Sequence, residues 1–239
     1  MRNILGHLRR ADNDFDLIQD GDKIAIGLSC GKDSLTLVKA LSLYKKFKHK
    51  SFDIIAITID CKDGETDCSH IAEFCKAHGI QHHIEISQIF KVIFDIRKEK
   101  SPCSLCAKMR RGILHTAAKK HGCNKVALGH HGDDMLETFF LCMLYEGRVS
   151  TFYPKTYLDR IDITLIRPLV YATEEEIIKE SKGFPILVNT CPVNGYTKRE
   201  YMKNLVKKLD KEIPDARMQM MKAIFSSNLF DHSDIKCQN

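Results

Sequence analysis

Apolar runs and helical periodicities alternate along the first two thirds of the chain. Runs that fit buried strands occur at 23–28, 52–60, 81–86, 125–128 and 163–166. Between them lie patterns with the helical period, at about 33–47, 66–78, 106–121 and 134–145. Strands that alternate with helices form parallel sheets, and such sheets carry helices on both faces. The pattern therefore predicts an α/β fold with a parallel sheet at its centre.

Local signals mark the ends of elements and divide the chain. Gly79 fits the residue that follows a helix C-terminus, and the sequence from Thr173 to Glu176 fits a capping box that opens a helix. From Thr197 onward the chain is basic and helical in pattern, without a strand signal. We therefore expect a lead-in over 1–20, an α/β domain over 21–190 and a basic helical extension over 191–239.

Composition narrows the class of protein. The 239 residues are 44% hydrophobic and 28% charged, which excludes collagen-like, disordered and coiled-coil chains. The amino terminus has no apolar core, and the longest apolar stretches, such as 139–145, are far too short to span a membrane. We expect a soluble, cytoplasmic protein without a membrane partner. In that compartment the 10 cysteines indicate metal, cluster or redox chemistry in preference to disulfides.

Positive charge is concentrated in two segments. The net charge is only +6, but 98–125 contains eight basic residues against one acid, and 198–222 contains eight against four. Segregated positive charge favours a polyanionic partner such as a nucleic acid. Two helix faces exposed to solvent are the alternative on charge alone.

The turn after the first strand fits a phosphate-binding loop. It reads Gly-Leu-Ser-Cys-Gly-Lys-Asp-Ser from Gly27 to Ser34, directly before a helical pattern. A glycine-containing turn at a helix N-terminus aims backbone N–H groups and the positive helix end at one point, which suits phosphate. The spacing of the loop residues differs from that of a Walker A motif, and the loop lacks the Gly-x-Gly-x-x-Gly pattern of dinucleotide-binding folds. A capped helix start without a ligand is the alternative.

This loop resembles the Ser-Gly-Gly-x-Asp-Ser motif of the PP-loop ATPases, with Cys30 in place of the first paired glycine. The resemblance implies their fold, a parallel sheet of the adenine nucleotide α-hydrolase-like (HUP) type. It also implies cleavage of ATP between the α- and β-phosphates to adenylate an oxygen, with Mg²⁺ near Asp33. The implied pyrophosphate contacts are Ser29, Cys30, Gly31, Lys32 and Ser34.

A second motif of the same family follows a later strand and reads Gly-His-His-Gly-Asp-Asp from Gly129 to Asp134. In PP-loop ATPases this segment faces the nucleotide, which implies that Gly129 and His130 bind the nucleotide here. Open α/β sheets bind ligands at the carboxyl ends of their strands, where the carboxylates of Asp133 and Asp134 could hold Mg²⁺. An N-cap pair for the next helix is the alternative. The adenine is expected at the end of the second strand, around Ile59.

Cys103 and Cys106 lie one helical turn apart. They stand at the start of a predicted helix with several cations, and both features lower thiol pKa values, which prepares the pair for metal ligation or sulfur chemistry. A metal centre needs a further ligand, and Cys191, in a turn after an apolar segment, is the best candidate. The cysteines expected only to pack or to have no role are Cys30, Cys61, Cys68, Cys75, Cys123, Cys142 and Cys237.

The order of these motifs resembles the tRNA 2-thiocytidine synthetases over most of the chain. The motifs that carry the resemblance are Cys103-x-x-Cys106, Arg110-Arg111-Gly112-Ile113-Leu114, Leu128-Gly129-His130-His131 and Ile166-Arg167-Pro168-Leu169. The resemblance implies ATP-dependent adenylation of a pyrimidine C2 oxygen in tRNA, and a [4Fe–4S] cluster on Cys103, Cys106 and Cys191 whose sulfide displaces AMP. The reaction needs a sulfur donor, such as a cysteine desulfurase or free sulfide, and the resemblance suggests a homodimer. A persulfide relay between the cysteines and a zinc site are the alternatives to the cluster.

Cations recur every three or four residues along the helix after the cysteine pair. A basic face that leads away from the sulfur site could guide an RNA backbone towards it by charge neutralisation. A face that is merely exposed to solvent is the alternative. The apolar stripe of the same helix is Met109, Ile113 and Ala117. The predicted RNA contacts, including two in the tail, are Lys108, Arg110, Arg111, Lys119, Lys198 and Arg199.

Two other functions remain open on the sequence. A PP-loop ligase or amidotransferase that acts on a small molecule would share the phosphate loop, but it would need neither the basic stripe nor the cysteines. A nucleotide-binding iron–sulfur or sulfur-carrier module would share both sites and catalyse nothing. Formation of AMP and pyrophosphate distinguishes the enzymes from such a module.

Overall fold

The computed structural model describes residues 1–47, 50–99, 102–187, 191 and 198–230. Its strands are β1 (Lys23–Gly27), β2 (Asp53–Asp60), β3 (Gln81–Ile86), β4 (Lys125–Ala127), β5 (Lys155–Leu158) and β6 (Ile163–Ile166). They form a six-stranded sheet in the order β3-β2-β1-β4-β6-β5. All neighbours pair in parallel except β5, which runs antiparallel to β6 at one edge. The predicted α/β fold is confirmed, with one antiparallel strand added.

Helices cover the sheet on both faces. They are α1 (Arg2–Phe15), α2 (Lys32–Phe47), α3 (Ser69–Ala77), α4 (Pro102–Lys120), α5 (Gly132–Glu146), α6 (Glu174–Glu180), α7 (Lys198–Glu212) and α8 (Ala216–Ser226). A π-helical turn at Lys91–Ile96 and a 3₁₀ turn at Asn228–Phe230 complete the elements. In the described part of the chain, no helix is long and apolar enough to cross a membrane.

The sheet separates two hydrophobic clusters, because successive residues of a strand point to opposite faces. Ile24 and Ile26 of β1 belong to a cluster that includes residues of α1, α2, α3, α5, α6 and α8. Ala25 belongs to a second cluster, which includes residues of α4 and of the π-helical turn. The helix with the cysteine pair therefore lies on the opposite face from α2, the helix that follows the phosphate loop.

The strand register places the carboxyl ends of β1, β4 and β6 side by side. Ile26 of β1 is opposite Ala127 of β4, which in turn is opposite Ile166 of β6. The segments after these strands contain the phosphate loop, the second motif and Arg167. All of them therefore begin at one edge of the sheet.

The sequence patterns identified most elements but missed α1 and β5. Helix α1 lies within the segment predicted as a lead-in, and its Ile4, Leu8 and Ala11 are fully buried. Their helical spacing was present but sparse among polar residues. Strand β5 is a four-residue edge strand with no fully buried position, so it has no apolar run to reveal it. The capping box at Thr173 is confirmed, since the Thr173 side chain accepts from the Glu176 N–H.

Candidate active site

The phosphate loop is a tight turn between β1 and α2. Leu28 N donates to Ile57 O across the sheet (2.9 Å), and Ser34 Oγ donates to Gly31 O (3.0 Å). Cys30 has a φ of +61°, in the left-handed region that favours glycine. The structure thus requires at this position the backbone conformation that a glycine would supply, as the resemblance to paired glycines suggests.

Lys32 begins α2 and is held between two carboxylates. Its Nζ lies 2.9 Å from Asp33 Oδ1 and 3.2 Å from Glu174 Oε1. Burial favours the neutral amine, but the negative charges of Asp33 and Glu174 prevail and raise the pKa of Lys32. The ammonium that would face a phosphate is therefore charged and positioned by acids on two different elements.

The second motif contacts the phosphate loop directly. A Cβ added at Gly129 would lie 3.0 Å from Asp33 C and from Ser34 N, so any side chain here would force this backbone to shift by a few tenths of an ångström. His131 is buried, with Nε2 3.6 Å from Asp33 Oδ1 and 3.5 Å from Asp134 Oδ2. The structure therefore brings the two sequence-predicted motifs together at the carboxyl edge of the sheet.

The adjacent carboxylates of the second motif have capping roles as well. Asp134 Oδ2 accepts from His131 N (3.0 Å) at the start of α5. Asp133 Oδ2 accepts from Glu174 N (2.6 Å) at the start of α6. The N-cap alternative is therefore only partly correct: His131 is the N-cap of α5 with Asp134 at N3 of its capping box, and Asp133 binds the start of α6 instead. These contacts leave Asp133 Oδ1 and Asp134 Oδ1 to interact with cations.

Those cations come from the C-terminal helices. Arg199 NH1 lies 3.1 Å from Asp134 Oδ1, and Arg217 NH1 lies 3.2 Å from Asp133 Oδ1. Lys203 Nζ lies 2.7 Å from Glu174 Oε1, the same oxygen that Lys32 approaches. Arg199 was predicted as an RNA contact, but the structure places it against the carboxylate pair. These contacts join α7 and α8 to the phosphate loop.

Glu137 lies one turn beyond Asp134 on α5 and is buried beside these cations. Burial and the nearby charge of Asp134 raise its pKa to about 7, although Arg199 and Lys203 act in the opposite direction. A cavity of about 320 Å³ opens here. Sequence reasoning did not place Glu137, Glu174, Lys203 or Arg217 at this site, although the basic character of the tail was a signal, which was interpreted as RNA binding.

The cysteine pair lies on the first turns of α4, with Cys103 exposed and Cys106 half-buried. A hydrogen bond from Cys61 lowers the pKa of Cys106 to about 6, against the effect of burial and with help from Arg110. Burial and the neighbouring thiols of Cys191 and Cys106 raise the pKa of Cys103. The predicted lowering is therefore confirmed for Cys106 and wrong for Cys103.

Cys61 corrects the sequence analysis, which expected it only to pack or to have no role. It directly follows β2, and its thiol hydrogen-bonds to Cys106. The hydrogen bond and burial raise the pKa of Cys61, so it stays a thiol and donates. Its place at the end of a strand was a signal that a motif search centred on paired cysteines could not use.

The thiols can be tested as a metal centre. Within the described ranges, no three His, Cys, Asp or Glu side chains surround a point that a single metal ion would occupy. Cys103 nevertheless lies close enough to both Cys106 and Cys191 for their charges to shift its pKa. A donor set of thiolates is what an iron–sulfur cluster requires, and a cluster needs its ligands farther apart than one ion does. The donors present therefore fit a cluster better than a single zinc ion.

Arg110 connects the thiols to the phosphate loop. Its positive charge lowers the pKa of Cys106 and opposes the rise in the pKa values of Cys61 and Cys30. Cys30 belongs to the loop, and Cys106 belongs to α4. Because β1 and β2 are adjacent parallel strands, the phosphate loop after β1 and Cys61 after β2 begin at the same edge of the sheet.

The predicted RNA stripe on α4 is only partly free. Lys108 and Arg111 are exposed, whereas Lys119 Nζ pairs with Asp162 Oδ2 at 3.0 Å. In the tail, Lys198 Nζ lies over the Tyr145 ring, 4.3 Å from its centroid. Of the predicted apolar stripe, Ala117 is buried, while Met109 and Ile113 line an open groove beside β3.

The end of β2, where the adenine was expected, offers mostly backbone. The side chain of Ile59 is buried in the cluster under α4. Asp60 accepts hydrogen bonds from Gly64 N (2.7 Å) and Thr66 Oγ1 (2.6 Å), which order the segment after the strand. Any contact of Ile59 with a base would therefore involve its main chain.

Comparisons with known proteins agree with these features. The family described as the PP-loop domain matches residues 6–209. A curated relative, the tRNA-cytidine(32) 2-sulfurtransferase of Geobacter metallireducens, is 39% identical over 93% of this chain and 89% of that protein. The tRNA-cytidine(32) 2-sulfurtransferase of Aliivibrio fischeri is 36% identical over 91% of this chain and 73% of that protein.

Solved structures share the fold. The U34-tRNA thiolase NcsA from Methanococcus maripaludis, solved with its [4Fe–4S] cluster, has a TM-score of 0.76 at 24% identity, and the match covers 99% of this chain and 80% of that one. NMN synthetase from Francisella tularensis has a TM-score of 0.52 at 13% identity, covering 94% and 90%. The same sheet and helix arrangement therefore occurs in proteins of different activity, and the site must decide the function.

Proposed function

Because this chain belongs to the PP-loop family and, within it, to the tRNA-cytidine 2-sulfurtransferases, we propose that it is an ATP-dependent enzyme that thiolates cytidine 32 of tRNA. In the reaction, the C2 oxygen of the base attacks the α-phosphorus of ATP and pyrophosphate leaves. Sulfur then attacks the adenylated carbon, and the C–O bond breaks to release AMP. Each thiolated base therefore yields one AMP and one pyrophosphate.

The phosphate loop supports the first step. The backbone N–H groups of Ser29, Cys30 and Gly31, at the start of α2, would bind the pyrophosphate portion of ATP, with the hydroxyl of Ser34 beside them. The charged Lys32 would neutralise the developing negative charge on the leaving group. The close approach of Gly129 fixes the second motif against this loop.

The carboxylates near the loop are suited to Mg²⁺. Asp33 Oδ1 and Asp134 Oδ2 lie 3.6 and 3.5 Å from His131 Nε2, so the two carboxylates are on the same side of this histidine. Hard oxygen ligands of this kind are those that Mg²⁺ prefers. Asp133 would support the site through its hydrogen bond to the start of α6. Binding of a magnesium nucleotide would compete with Arg199 for Asp134.

The thiols support the second step. Cys103, Cys106 and Cys191 would hold a [4Fe–4S] cluster, whose iron left without a protein thiolate can carry the sulfur to be transferred. Cys61 would hydrogen-bond to the Cys106 sulfur, and Arg110 would stabilise negative charge between the thiols and the loop. The observation that carries the proposal is that the phosphate loop and Cys61 follow adjacent parallel strands, β1 and β2, and so begin at one edge of the sheet, because thiolation requires both half-reactions at one base.

The remaining parts of the proposal concern partners and organisation. The exposed Lys108 and Arg111 would contact the tRNA backbone close to the cysteines. A cysteine desulfurase or free sulfide would supply the sulfur, and two chains would form a homodimer. We propose an α/β domain over 21–190 and an extension over 191–239 that supplies Arg199, Lys203 and Arg217 to the ATP site.

The test is a pair of measurements on anaerobically purified protein. We expect about four irons and four acid-labile sulfides per chain, lost in each of the Cys103→Ser, Cys106→Ser and Cys191→Ser variants. Cys142→Ser is the matched control, because this buried cysteine lies at the far end of α5. Wild-type protein without iron would overturn the cluster and favour persulfide transfer.

The second measurement follows AMP, pyrophosphate and 2-thiocytidine with tRNA and sulfide present. Asp33→Ala is expected to abolish AMP formation and keep the iron, whereas Cys103→Ser is expected to lose thiolation. AMP formation that depends on a small acceptor and not on tRNA would identify a ligase instead. If Cys103→Ser still thiolates tRNA, the proposed sulfur site is wrong.

A further inference from the structure

Arg167 directly follows β6 and is buried, with 9% of its surface exposed. Its guanidinium lies over the Phe152 ring, 4.9 Å from the centroid. Its NH1 group donates a hydrogen bond to the main-chain oxygen of Tyr153. An aromatic ring and a neutral carbonyl therefore hold the guanidinium in place.

The positive charge of Arg167 has no counter-charge among the described residues. No carboxylate pairs with it there, and its buried Nε has no hydrogen-bond partner within those residues. Burial and the nearby cation Arg111 lower the pKa of Arg167 to about 10. Buried charges in proteins are ordinarily paired, because removal of an unpaired charge from water is unfavourable. A buried guanidinium with an unpartnered N–H donor is suited to bind an anion.

His130 adds a polar atom at the same place. Its ring lies 5.1 Å from the Phe152 ring, centroid to centroid, and its Nδ1 is enclosed and has no partner in the described part of the chain. Burial and the charge of Arg167 lower the pKa of His130 to about 4, so the imidazole is neutral. A neutral imidazole can donate one hydrogen bond to an anion without adding charge.

The position separates this group from the phosphate loop. Strand β6 is two strands away from β1 in the sheet, which at ~4.8 Å per strand is roughly 10 Å. Arg148, four residues before Phe152 in the chain, is exposed and donates to Glu146 Oε2 (3.0 Å), so its charge is already paired. Arg167 alone of the two is built to receive a ligand.

We propose that Arg167, supported by Phe152 and flanked by His130, forms a second phosphate subsite that binds a phosphodiester of the RNA next to the reacting nucleotide. This inference rests on the proposed function, since it takes RNA as the substrate. An arginine presents paired N–H donors that match two phosphate oxygens. A phosphate held here would fix the position of the target base between the phosphate loop and the cysteines.

The test compares Arg167→Met with Arg167→Lys and with the matched control Arg148→Met. Affinity for tRNA is measured over a range of salt concentrations, affinity for ATP is measured separately, and thermal unfolding is recorded for each protein. Arg167→Met should bind tRNA about 10- to 100-fold more weakly and lower the slope of log K against log salt by about 0.7–0.9. Arg167→Lys keeps the charge and should lose less.

Stability provides an independent readout. If Arg167 is a binding residue, Arg167→Met removes an unpaired buried charge and leaves the melting temperature unchanged or higher. Unchanged tRNA binding together with a lower melting temperature would make Arg167 a structural residue and overturn the subsite. Weaker ATP binding with unchanged tRNA binding would assign the subsite to the nucleotide instead. If the wild-type protein does not bind tRNA at all, the proposed function is wrong as well as this subsite.

Discussion

Substitution of Gly129 by alanine tests whether contact between the two motifs controls ATP binding. The added Cβ would lie 3.0 Å from Asp33 C and Ser34 N and 3.1 Å from Asp33 O. Carbon contacts are most favourable at about 3.5–4.0 Å, so the overlap is roughly half an ångström. All the contacted atoms are backbone of the phosphate loop and the first turn of α2, which cannot rotate away.

The expected cost follows from this overlap. Gly129 does not have a positive φ, so alanine adopts its backbone conformation without strain, and the contact is the only new term. Overpacking of a well-packed position costs about 1–3 kcal/mol. For a chain of this size that corresponds to a fall in melting temperature of roughly 2–12 °C. Displacement of the loop by several tenths of an ångström should also weaken ATP binding and slow AMP formation by about tenfold.

The assay combines thermal unfolding with ATP binding and AMP formation. Gly112→Ala is the control, because Gly112 is an exposed helical glycine with nothing within 4 Å of an added Cβ. Alanine is the better helix former by about 1 kcal/mol, so this variant should be as stable as the wild type or more stable, with unchanged ATP binding. If Gly129→Ala also unfolds and binds ATP like the wild type, the two motifs are not in the contact described.

Three further predictions concern charge and backbone. The pKa of Glu137 is raised to about 7 from 4.5, so the folded state retains a proton that the unfolded state loses; its contribution to stability is complete below pH 4.5 and lost as pH rises through 7. Glu137→Gln should remove that decline in urea unfolding measured from pH 5 to 7.5, and an unaltered profile would contradict it. Cys30→Gly suits the φ of +61° and should keep ATP affinity. Cys30→Val places a β-branched residue there and should lose about 1–3 kcal/mol of stability. Equal stability of the two variants would show that the loop does not constrain this backbone conformation. Replacement of both Arg111 and Lys119 by Ala should weaken tRNA binding and flatten its salt dependence, with Arg111 responsible for most of the loss because Lys119 is paired with Asp162; filter binding of the single and double variants checks this, and equal losses would refute it.

The capping residues illustrate why local sequence was informative. Thr173 and Glu176 lie three residues apart, and their side chains need nothing beyond one helical turn to form the capping box. The same holds for the start of α5, where Asp134 accepts from the backbone of His131. Interactions of this range follow from spacing, so sequence could predict them. Helix α1 could not be predicted in this way, because its few apolar residues are buried only against the rest of the core.

The charged network around the loop illustrates the opposite case. Arg199 and Asp134 are 65 residues apart in the chain, and Arg217 and Asp133 are 84 apart. Sequence showed a basic tail and an acidic pair but not that they meet. Cys61 follows β2 and Cys106 lies on α4, so the interaction between them likewise belongs to no motif that the sequence shows.

By itself, the sequence determined the alternation of strands and helices, the phosphate loop, the second motif and the cysteine pair. It also determined that both motifs lie at one edge of the sheet, because parallel strands have their carboxyl ends on the same side. The tertiary structure alone decided which cation faces which carboxylate, that Cys61 interacts with Cys106, and that Arg167 is buried against the Phe152 ring. Periodicity and spacing act over a few residues, whereas these contacts depend on how α4, α7 and α8 pack against the sheet.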